Sequence, residues 1–489
     1  MKKVLFTHSY FLRFDPKQWK MQQPYPPLGT ISAAAFLKSK NYSVSLFDSM
    51  FAHSAEEIIP FLAKDKPDYL VIYDDGFNYL TKMCLTNMRE AAFEMIHFAK
   101  ARNIKVIVNS SDSTDHPEKY LAAGADYIIY GEGEETLGEL VNHLSVSDRQ
   151  PDLIAGVIFT TSTGLFKTPK RNVLKTIDEL PVPAWDLINM SEYKDRWLAS
   201  TGYFSLNLST TRGCPFHCNW CAKPIYGNRY NVHSPLRIVE QIKFLQAAYG
   251  VNHFWMTDDI FGLKPGWVKE FADLVNTAQL KFKFKIQSRA DLLTNDNTIY
   301  DLARAGCEIV WMGAESGSQK ILDAMDKGIT VKQIRDASIG LRKAGVRAAF
   351  FLQFGYPAEN KEDVKLTLKM LSDLKPDDIG ISVSYPLPGT VFYERVKDQL
   401  GEKSNWEDSD ELALMFNKDL PRNYYKVLQR YVHRMFRMQQ GKETLSQMLT
   451  SPSTISGSKV RTSVLLPLHA FYKLVNGYKL GVMDKKRPT

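Results

Sequence analysis

The sequence predicts an α/β protein with two parallel sheets in series: a doubly wound N-terminal sheet, then a partial (β/α)6 barrel, then a mostly helical C-terminal region. Three observations predict it. Short runs rich in Val, Ile, Leu, Phe and Tyr alternate with segments of helical periodicity over residues 1–145. The same alternation resumes at 203 and runs to 385. Beyond 386 it fades. Strands that alternate with helices join through right-handed crossovers, which make parallel sheets with helices packed on their faces.

Taken in order, strands are predicted at 3–7, 43–47, 69–73, 104–108 and 126–130. Helices are predicted near 28–39, 54–64, 84–101, 116–123 and 135–144, and Ser54 followed by Glu57 is the pattern of a capping box. Five such strands suit a flavodoxin-like or Rossmann-like unit over 1–145, with a ligand crevice at the carboxyl ends of the strands. Residues 146–200 are assigned to a hairpin at 156–169, returning through Gly164, and to a linker. Pro181 and Pro183 forbid a regular helix at the linker.

The barrel is assigned to 201–392, with strands at 205–210, 253–257, 282–287, 308–313, 347–354 and 379–384. Its helices are well punctuated. Ser234-Pro235 opens one, with Ile238, Ile242, Leu245 and Tyr249 on a single stripe. Thr330 and Gln333 form a capping box for another, which Gly345 ends. Asn360 opens the next, and Pro376 lies past its end. Barrels of this kind place their chemistry at the carboxyl ends of the strands. Within 393–489, Tyr424 to Gln440 reads as a basic helix, Ser451 to Ser458 as a polar loop, and Val464 to Leu480 as apolar and basic by turns.

The chain has 489 residues, 44% of them hydrophobic and 24% charged, the balance of a folded protein of two or three domains. A net charge of +8 over this length is a mild bias that does not demand nucleic acid. Five cysteines are an odd number, and three fall within eight residues, unlike a secreted disulfide scaffold. A metal site in a reducing cytoplasm is expected instead. The apolar run at the N-terminus is too short for a signal peptide, and no stretch of 18 apolar residues occurs.

The central signal is Arg212-Gly213-Cys214-Pro215-Phe216-His217-Cys218-Asn219-Trp220-Cys221, just after the first barrel strand. Three thiolates on one short loop suit three irons of a four-iron cluster, which normally takes four cysteines. The fourth iron then keeps an open position, as a catalytic metal needs. The competing assignment is zinc, with His217 or His233 as a fourth ligand. Cys84 and Cys307 stand alone in apolar surroundings and read as small core residues.

This loop resembles the signature of the radical S-adenosylmethionine (SAM) superfamily, Cys-x-x-x-Cys-x-x-Cys with an aromatic residue, here Trp220, before the last cysteine. The resemblance implies that Cys214, Cys218 and Cys221 ligate a 4Fe-4S cluster whose open iron chelates SAM. It implies cleavage of the sulfonium to a 5′-deoxyadenosyl radical that abstracts hydrogen from substrate. The motifs that follow come in the family's order over residues 203–392. Met256-Thr257-Asp258-Asp259 ends the second strand, and the resemblance places Asp258 or Asp259 near the methionine amino group. Gln287-Ser288-Arg289 ends the third, with Arg289 a candidate partner of the methionine carboxylate. Gly313-Ala314-Glu315-Ser316-Gly317 ends the fourth and resembles the segment near the ribose, with Glu315 and Ser316 as contacts. Phe354-Gly355-Tyr356-Pro357 ends the fifth and resembles the segment beside adenine. A helix cap or a structural ion pair is the plain alternative for Asp258, Asp259 and Arg289.

Residues 1–145 resemble the cobalamin-binding domain that precedes the barrel in one large subgroup of the family. The resemblance is carried by Pro26-Pro27-Leu28-Gly29, by Asp48, by Gly124-Ala125-Asp126 through Gly131-Glu132-Gly133-Glu134, and by the linker Leu180 to Asp186. It implies Asp74, Gly76, Ser110, Ser111, Gly131 and Gly133 as candidate cobalamin contacts; turn and cap roles are the alternative for each. The Asp-x-His-x-x-Gly motif of many cobalamin proteins is absent, and 77–85 departs from the commoner pattern.

The resemblance therefore implies a cobalamin-dependent methyltransferase acting on an unactivated carbon. The alternatives are a radical cyclase or rearrangement enzyme, and a radical enzyme without cobalamin. A methylthiolating enzyme would carry three more N-terminal cysteines, and that region holds Cys84 alone. Expected partners are a small-molecule substrate, lipid-like or a natural-product intermediate, and an electron donor such as flavodoxin or ferredoxin. No nucleic acid is expected. The segment with His469, Phe471, Tyr472, Lys473 and Lys479 suits contact with a membrane surface.

Overall fold

The computed structural model describes residues 2–147, 149–295, 297–401, 405–416, 421, 423–450 and 463–484. The first sheet contains β1 (Lys3–Thr7), β2 (Ser43–Phe47), β3 (Tyr69–Tyr73), β4 (Lys105–Asn109), β5 (Tyr127–Ile129), β6 (Val157–Thr161) and β7 (Gly164–Lys167). Their order is β2-β1-β3-β4-β5-β6-β7, and the first five are parallel. This is the flavodoxin-like order, with its switch point between β1 and β3. Every residue of β3 is buried, as a parallel strand covered on both faces must be. Alternation then divides the core in two. Leu5, Leu70, Ile72, Val106 and Val108 pack on one side with Ala91 and Met95 of the helix Thr86–Lys100. Val4, Phe6, Val71 and Ile107 pack on the other with Leu37 of Leu28–Ser39 and Leu137 and Val141 of Glu134–Val146.

Three details differ from the sequence-based expectations. The hairpin is not free-standing: β6 pairs antiparallel with β5, so the hairpin covers an otherwise open sheet edge. The Ser54 side chain makes no cap hydrogen bond; Glu57 Oε1 instead accepts from the His53 amide at 2.7 Å. The helix expected from 84 begins at Thr86, because Cys84 adopts φ +54° after the short helix Tyr79–Lys82.

The second sheet contains β8 (Ser205–Leu208), β11 (His253–Met256), β12 (Lys283–Ser288), β13 (Cys307–Glu315), β14 (Arg347–Phe354) and β15 (Asp378–Val383). Two short strands, β9 (Thr211–Arg212) and β10 (Asn231–Val232), form a separate antiparallel ribbon. The six strands are all parallel, in the order β15-β14-β13-β12-β11-β8. Each strand thus lies beside its predecessor, which winds the sheet one way as in a (β/α)8 barrel and leaves it open between β8 and β15. The period of two separates the faces. Leu206, Leu208, Phe254, Met256, Phe284, Ile286, Phe350 and Leu352 are buried under the outer helices. Trp255, Lys285, Gln287, Trp311 and Phe351 have the opposite parity and are half-buried on the concave face.

The caps at Ser234, Thr330 and Asn360 all form, the last two as full capping boxes. The linker carries an unexpected helix, Met190–Thr201, whose buried Met190, Tyr193 and Trp197 recur at helical spacing. The C-terminal region forms two packed helices, Tyr424–Thr450 and Leu466–Asp484; the loop expected at 451–458 lies outside the described residues. Among the described residues, no helix is long and apolar enough to cross a membrane.

Candidate active site

The cysteine loop is clamped at both ends. Arg212 pairs with Asn231 and Thr211 with Val232, so residues 213–230 are held as one excursion. Asp258, at the end of β11, fixes the way in: its carboxylate accepts from the Thr210 amide at 2.7 Å, the Thr211 amide at 2.8 Å and Thr210 Oγ1 at 2.5 Å. Burial pushes its pKa up to about 7 against those hydrogen bonds. Gly213 has φ +79°, and a Cβ there would stand 2.3 Å from the Arg229 carbonyl oxygen. Gly213→Ala is therefore expected to displace the loop and lower iron and sulfide per chain after anaerobic reconstitution by at least about half, since left-handed strain and backbone overlap both oppose it. Unchanged iron content would refute this.

The three cysteines are half-buried and in no disulfide among the described residues. Burial pushes Cys221 up to about 12, with the Asp259 carboxylate adding to the shift, and burial also raises Cys214. Between the second and third thiols, Asn219 is held from four directions. It donates its amide to Met325 O at 3.0 Å and Nδ2 to Ala324 O at 2.7 Å. Its Oδ1 accepts from Tyr356 OH at 2.6 Å, and its carbonyl accepts from the Phe392 amide at 2.9 Å. Sequence reading missed Asn219, because a residue between two cysteines of a motif carries no local signal of contacts with residues 324–392.

Around the loop stand the strand-end residues. The Arg289 guanidinium lies 3.7 Å from the centre of the Phe216 ring, with Nη1 3.9 Å from Cys218 Sγ. Its fork is engaged by Asp291 at 2.9 and 3.1 Å and by Lys327 O at 2.8 Å. Glu315 adopts φ +55°, beside a register shift between β13 and β14. Its Oε1 accepts from Lys327 Nζ at 2.8 Å, and the same ammonium stands 5.7 Å from the Trp220 ring. Trp220 Nε1 is buried with no hydrogen-bond partner among the described residues. Asp259 pairs with Lys82 Nζ, at 2.5 Å, from the first sheet's side. The structure thus brings Cys214, Cys218, Cys221, Trp220, Asp259, Arg289 and Glu315 to one end of the barrel. Three other candidates are turned to internal roles. Asp258 tethers the loop. Ser316 Oγ is taken by Thr367 Oγ1 and the Ser318 amide, at 3.2 and 3.1 Å. Gly355 has φ +79°, and a Cβ there would meet Tyr425 at 2.9 Å. Lys327 and Lys82 were not singled out by sequence.

The first sheet presents its own carboxyl ends to this loop. Arg212, beside Cys214, is buried between Glu132 Oε1 at 2.5 Å and Glu134 Oε1 at 2.7 Å. Tyr226 and Phe77 flank the guanidinium at 5.3 and 5.9 Å. Asp74 is occupied by Ser9, accepting its amide at 2.7 Å and its hydroxyl at 2.8 Å. Ser110 caps the helix Ser111–Asp115, and Gly133 precedes Glu134–Val146. Gly131 has φ +81°. Gly76 keeps the surface low: a Cβ there would approach Ile225 no closer than 3.6 Å.

The donor set, three half-buried thiols on one clamped loop, fits an iron–sulfur cluster, which takes a single thiolate at each protein-bound iron. At the first sheet's strand ends Glu134 Oε2 is buried with no hydrogen-bond partner among the described residues, so it is free to accept from an amide donor of a bound ligand.

Comparison with known proteins agrees. Residues 208–371 match the family model of the radical SAM superfamily. A protein described as an uncharacterized methyltransferase of Pyrococcus horikoshii is 28% identical over 388 residues, 78% of this chain and 81% of its own. An anaerobic magnesium-protoporphyrin IX monomethyl ester cyclase of Synechocystis is 24% identical over 396 residues, covering 79% and 76%. The fold is similar to that of the cobalamin-dependent SAM radical enzyme OxsB with aqua-cobalamin bound, at TM-score 0.74 and 16% identity, covering 98% of this chain and 72% of that one. With the thiol loop at its head, the segment 208–371 is a radical SAM domain.

Proposed function

We propose that the chain is a cobalamin-dependent radical SAM methyltransferase acting on an unactivated carbon of a small molecule. A doubly wound unit over 1–145 would hold cobalamin, and the barrel over 201–392 would hold cluster and SAM. The observation that carries the proposal is the position of the cysteine loop. It sits where the carboxyl ends of both sheets meet, locked there by Arg212 between Glu132 and Glu134.

When bound, the cluster supplies the electron that cleaves SAM, and cobalamin supplies a methyl carrier; the protein's part is placement and exclusion of water. Cys214, Cys218 and Cys221 ligate the cluster. Asp259 and Glu315 offer carboxylate oxygens at the rim for the ammonium and ribose of SAM, each now held by a lysine. Trp220 offers a buried indole donor. Arg289 is spent on Asp291 and Lys327 O, so it positions Phe216 and Cys218 rather than chelating the methionine carboxylate. Gly76, Gly131 and Gly133 keep side chains out of the junction, while Asp74, Ser110 and Ser111 set the loops beside it.

A flavodoxin or ferredoxin as reductant and a cytoplasmic location suit a low-potential cluster. A lipid-like substrate and membrane-surface contact are supported by the exposed Phe471, Leu474 and Tyr478 on the helix Leu466–Asp484.

The test is anaerobic reconstitution with and without cobalamin, followed by desalting and ultraviolet–visible spectroscopy. A corrin band that stays with the protein is expected; its loss in the flow-through would refute cobalamin binding. Product mass then separates methylation, which adds one CH₂, from cyclisation, which the Synechocystis relative's name makes the second reading.

A further inference from the structure

On the concave face of the barrel, Lys285 has no carboxylate partner among the described residues. Lys285 is the third of the six residues of β12, between the buried, outward Phe284 and Ile286, so its side chain lies on the concave face. Its Nζ stands 4.3 Å from the centre of the Trp255 ring, 5.3 Å from Tyr25 and 5.7 Å from Trp197. Among the described residues its ammonium makes no ion pair and no hydrogen bond. Glu308, the acid whose charge acts on it, is already taken by His253 at 3.2 Å and Arg347 at 2.8 Å.

The walls beside it are aromatic. Trp311 and Phe351, on adjacent strands, stack with centroids 4.8 Å apart and planes 25° apart. Gly380 on the next strand leaves them room: a Cβ there would meet Phe351 at 3.0 Å and Trp311 at 3.4 Å. Tyr25 is fixed over the base of the hollow by its hydroxyl on Ser205 Oγ at 3.2 Å, and Asn207 Nδ2 donates to Pro26 O at 2.9 Å. The concave face therefore offers flat apolar rings and, among them, the half-buried ammonium of Lys285.

Ring faces hold a cation only weakly, and a lysine enclosed without a counter-ion favours its neutral form. Burial accordingly draws the Lys285 pKa down to about 7, with Glu308 opposing the shift. An anion bound beside it would restore the charge and gain a charge-assisted hydrogen bond. We propose that Lys285 is a specificity residue that anchors a carboxylate of the substrate, whose flat, unsaturated body lies against Trp255, Trp311 and Phe351. The proposal rests on the barrel hollow being the substrate site of the reaction proposed above, and it names the substrate class: a planar organic acid.

The test uses 1-naphthaleneacetate and its neutral twin 1-naphthaleneacetamide, measured by equilibrium dialysis against the anaerobically reconstituted full chain. The acid should bind at least about tenfold tighter than the amide, the scale of one hydrogen bond to a charged group. Lys285→Met should bring the acid down to the affinity of the amide and leave the amide unchanged, which also reports an intact site. Lys285→Arg should keep the preference. Equal binding of acid and amide by the unaltered chain overturns the proposal, as does a preference that survives Lys285→Met. No SAM cleavage is needed for the measurement, so failure of the methyltransferase reading leaves this result legible.

Discussion

Alanine in place of Cys214, Cys218 or Cys221, one at a time, is expected to abolish 5′-deoxyadenosine formation from SAM under dithionite. The loss should be at least about a thousandfold, well inside the six or more orders of magnitude that enzymes supply. Three irons of the proposed cluster would each depend on one of these thiolates, and the two remaining cysteines, Cys84 and Cys307, lie outside the loop. The clamped loop cannot bring one in: Asn219 is held on four sides and Gly213 is wedged against Arg229. The internal controls are Cys84 and Cys307, which are buried away from the loop and whose thiols burial pushes up. Alanine at either should cost some packing and leave the iron content unchanged. Iron, sulfide and 5′-deoxyadenosine measured across the five variants decide the matter. Retained cleavage in any of the three loop variants would overturn the cluster assignment.

Arg212→Met should have the largest effect on stability. The guanidinium is buried with Glu132 and Glu134, and removing it leaves two acids enclosed without a counter-charge. Breaking a buried pair in this way costs about 3–5 kcal/mol. The loss depends on pH, with a definite sign. Burial already raises the pKa of Glu132 despite Arg212 beside it, and without Arg212 the rise must grow. A carboxyl whose folded pKa lies above its unfolded value binds more protons when folded, so its contribution to stability is greatest at low pH and falls as pH rises through the folded pKa. The variant should therefore be less impaired at pH 5.5 than at pH 8 in thermal unfolding. Adding Glu134→Gln to Arg212→Met should recover part of the loss, since the two sites share one network. A melting curve equally displaced at both pH values would refute this account. Because Arg212 adjoins Gly213 and Cys214, the same variant should also reduce iron content.

Much of this architecture is legible because its causes are local. The parallel strands show as apolar runs separated by helical periodicity, and the caps at Ser234, Thr330 and Asn360 rest on residues within one turn of one another. The cysteine loop is the clearest case, since three thiols spaced by three and two residues lie on one loop however the rest of the chain folds. Even the overlooked helix Met190–Thr201 carried its stripe of Met190, Tyr193 and Trp197, hidden only by the prolines just before it.

Tertiary structure alone decided which charges stand together. Arg212 meets Glu132 and Glu134 across about eighty residues, and Lys82 meets Asp259 across more than 170. Asp258 and Arg289, which the motifs bring to the site, turn out to be spent on the backbone of Thr210, Thr211 and Lys327. Lys285 reads in sequence as one more strand lysine; only the curl of the sheet encloses it among Trp255, Tyr25 and Trp197. The physical reason is the same throughout. Spacing along the chain fixes backbone periodicity and short-range chelation, whereas the worth of a charge depends on its burial and its partners, which the sequence states nowhere and the fold supplies.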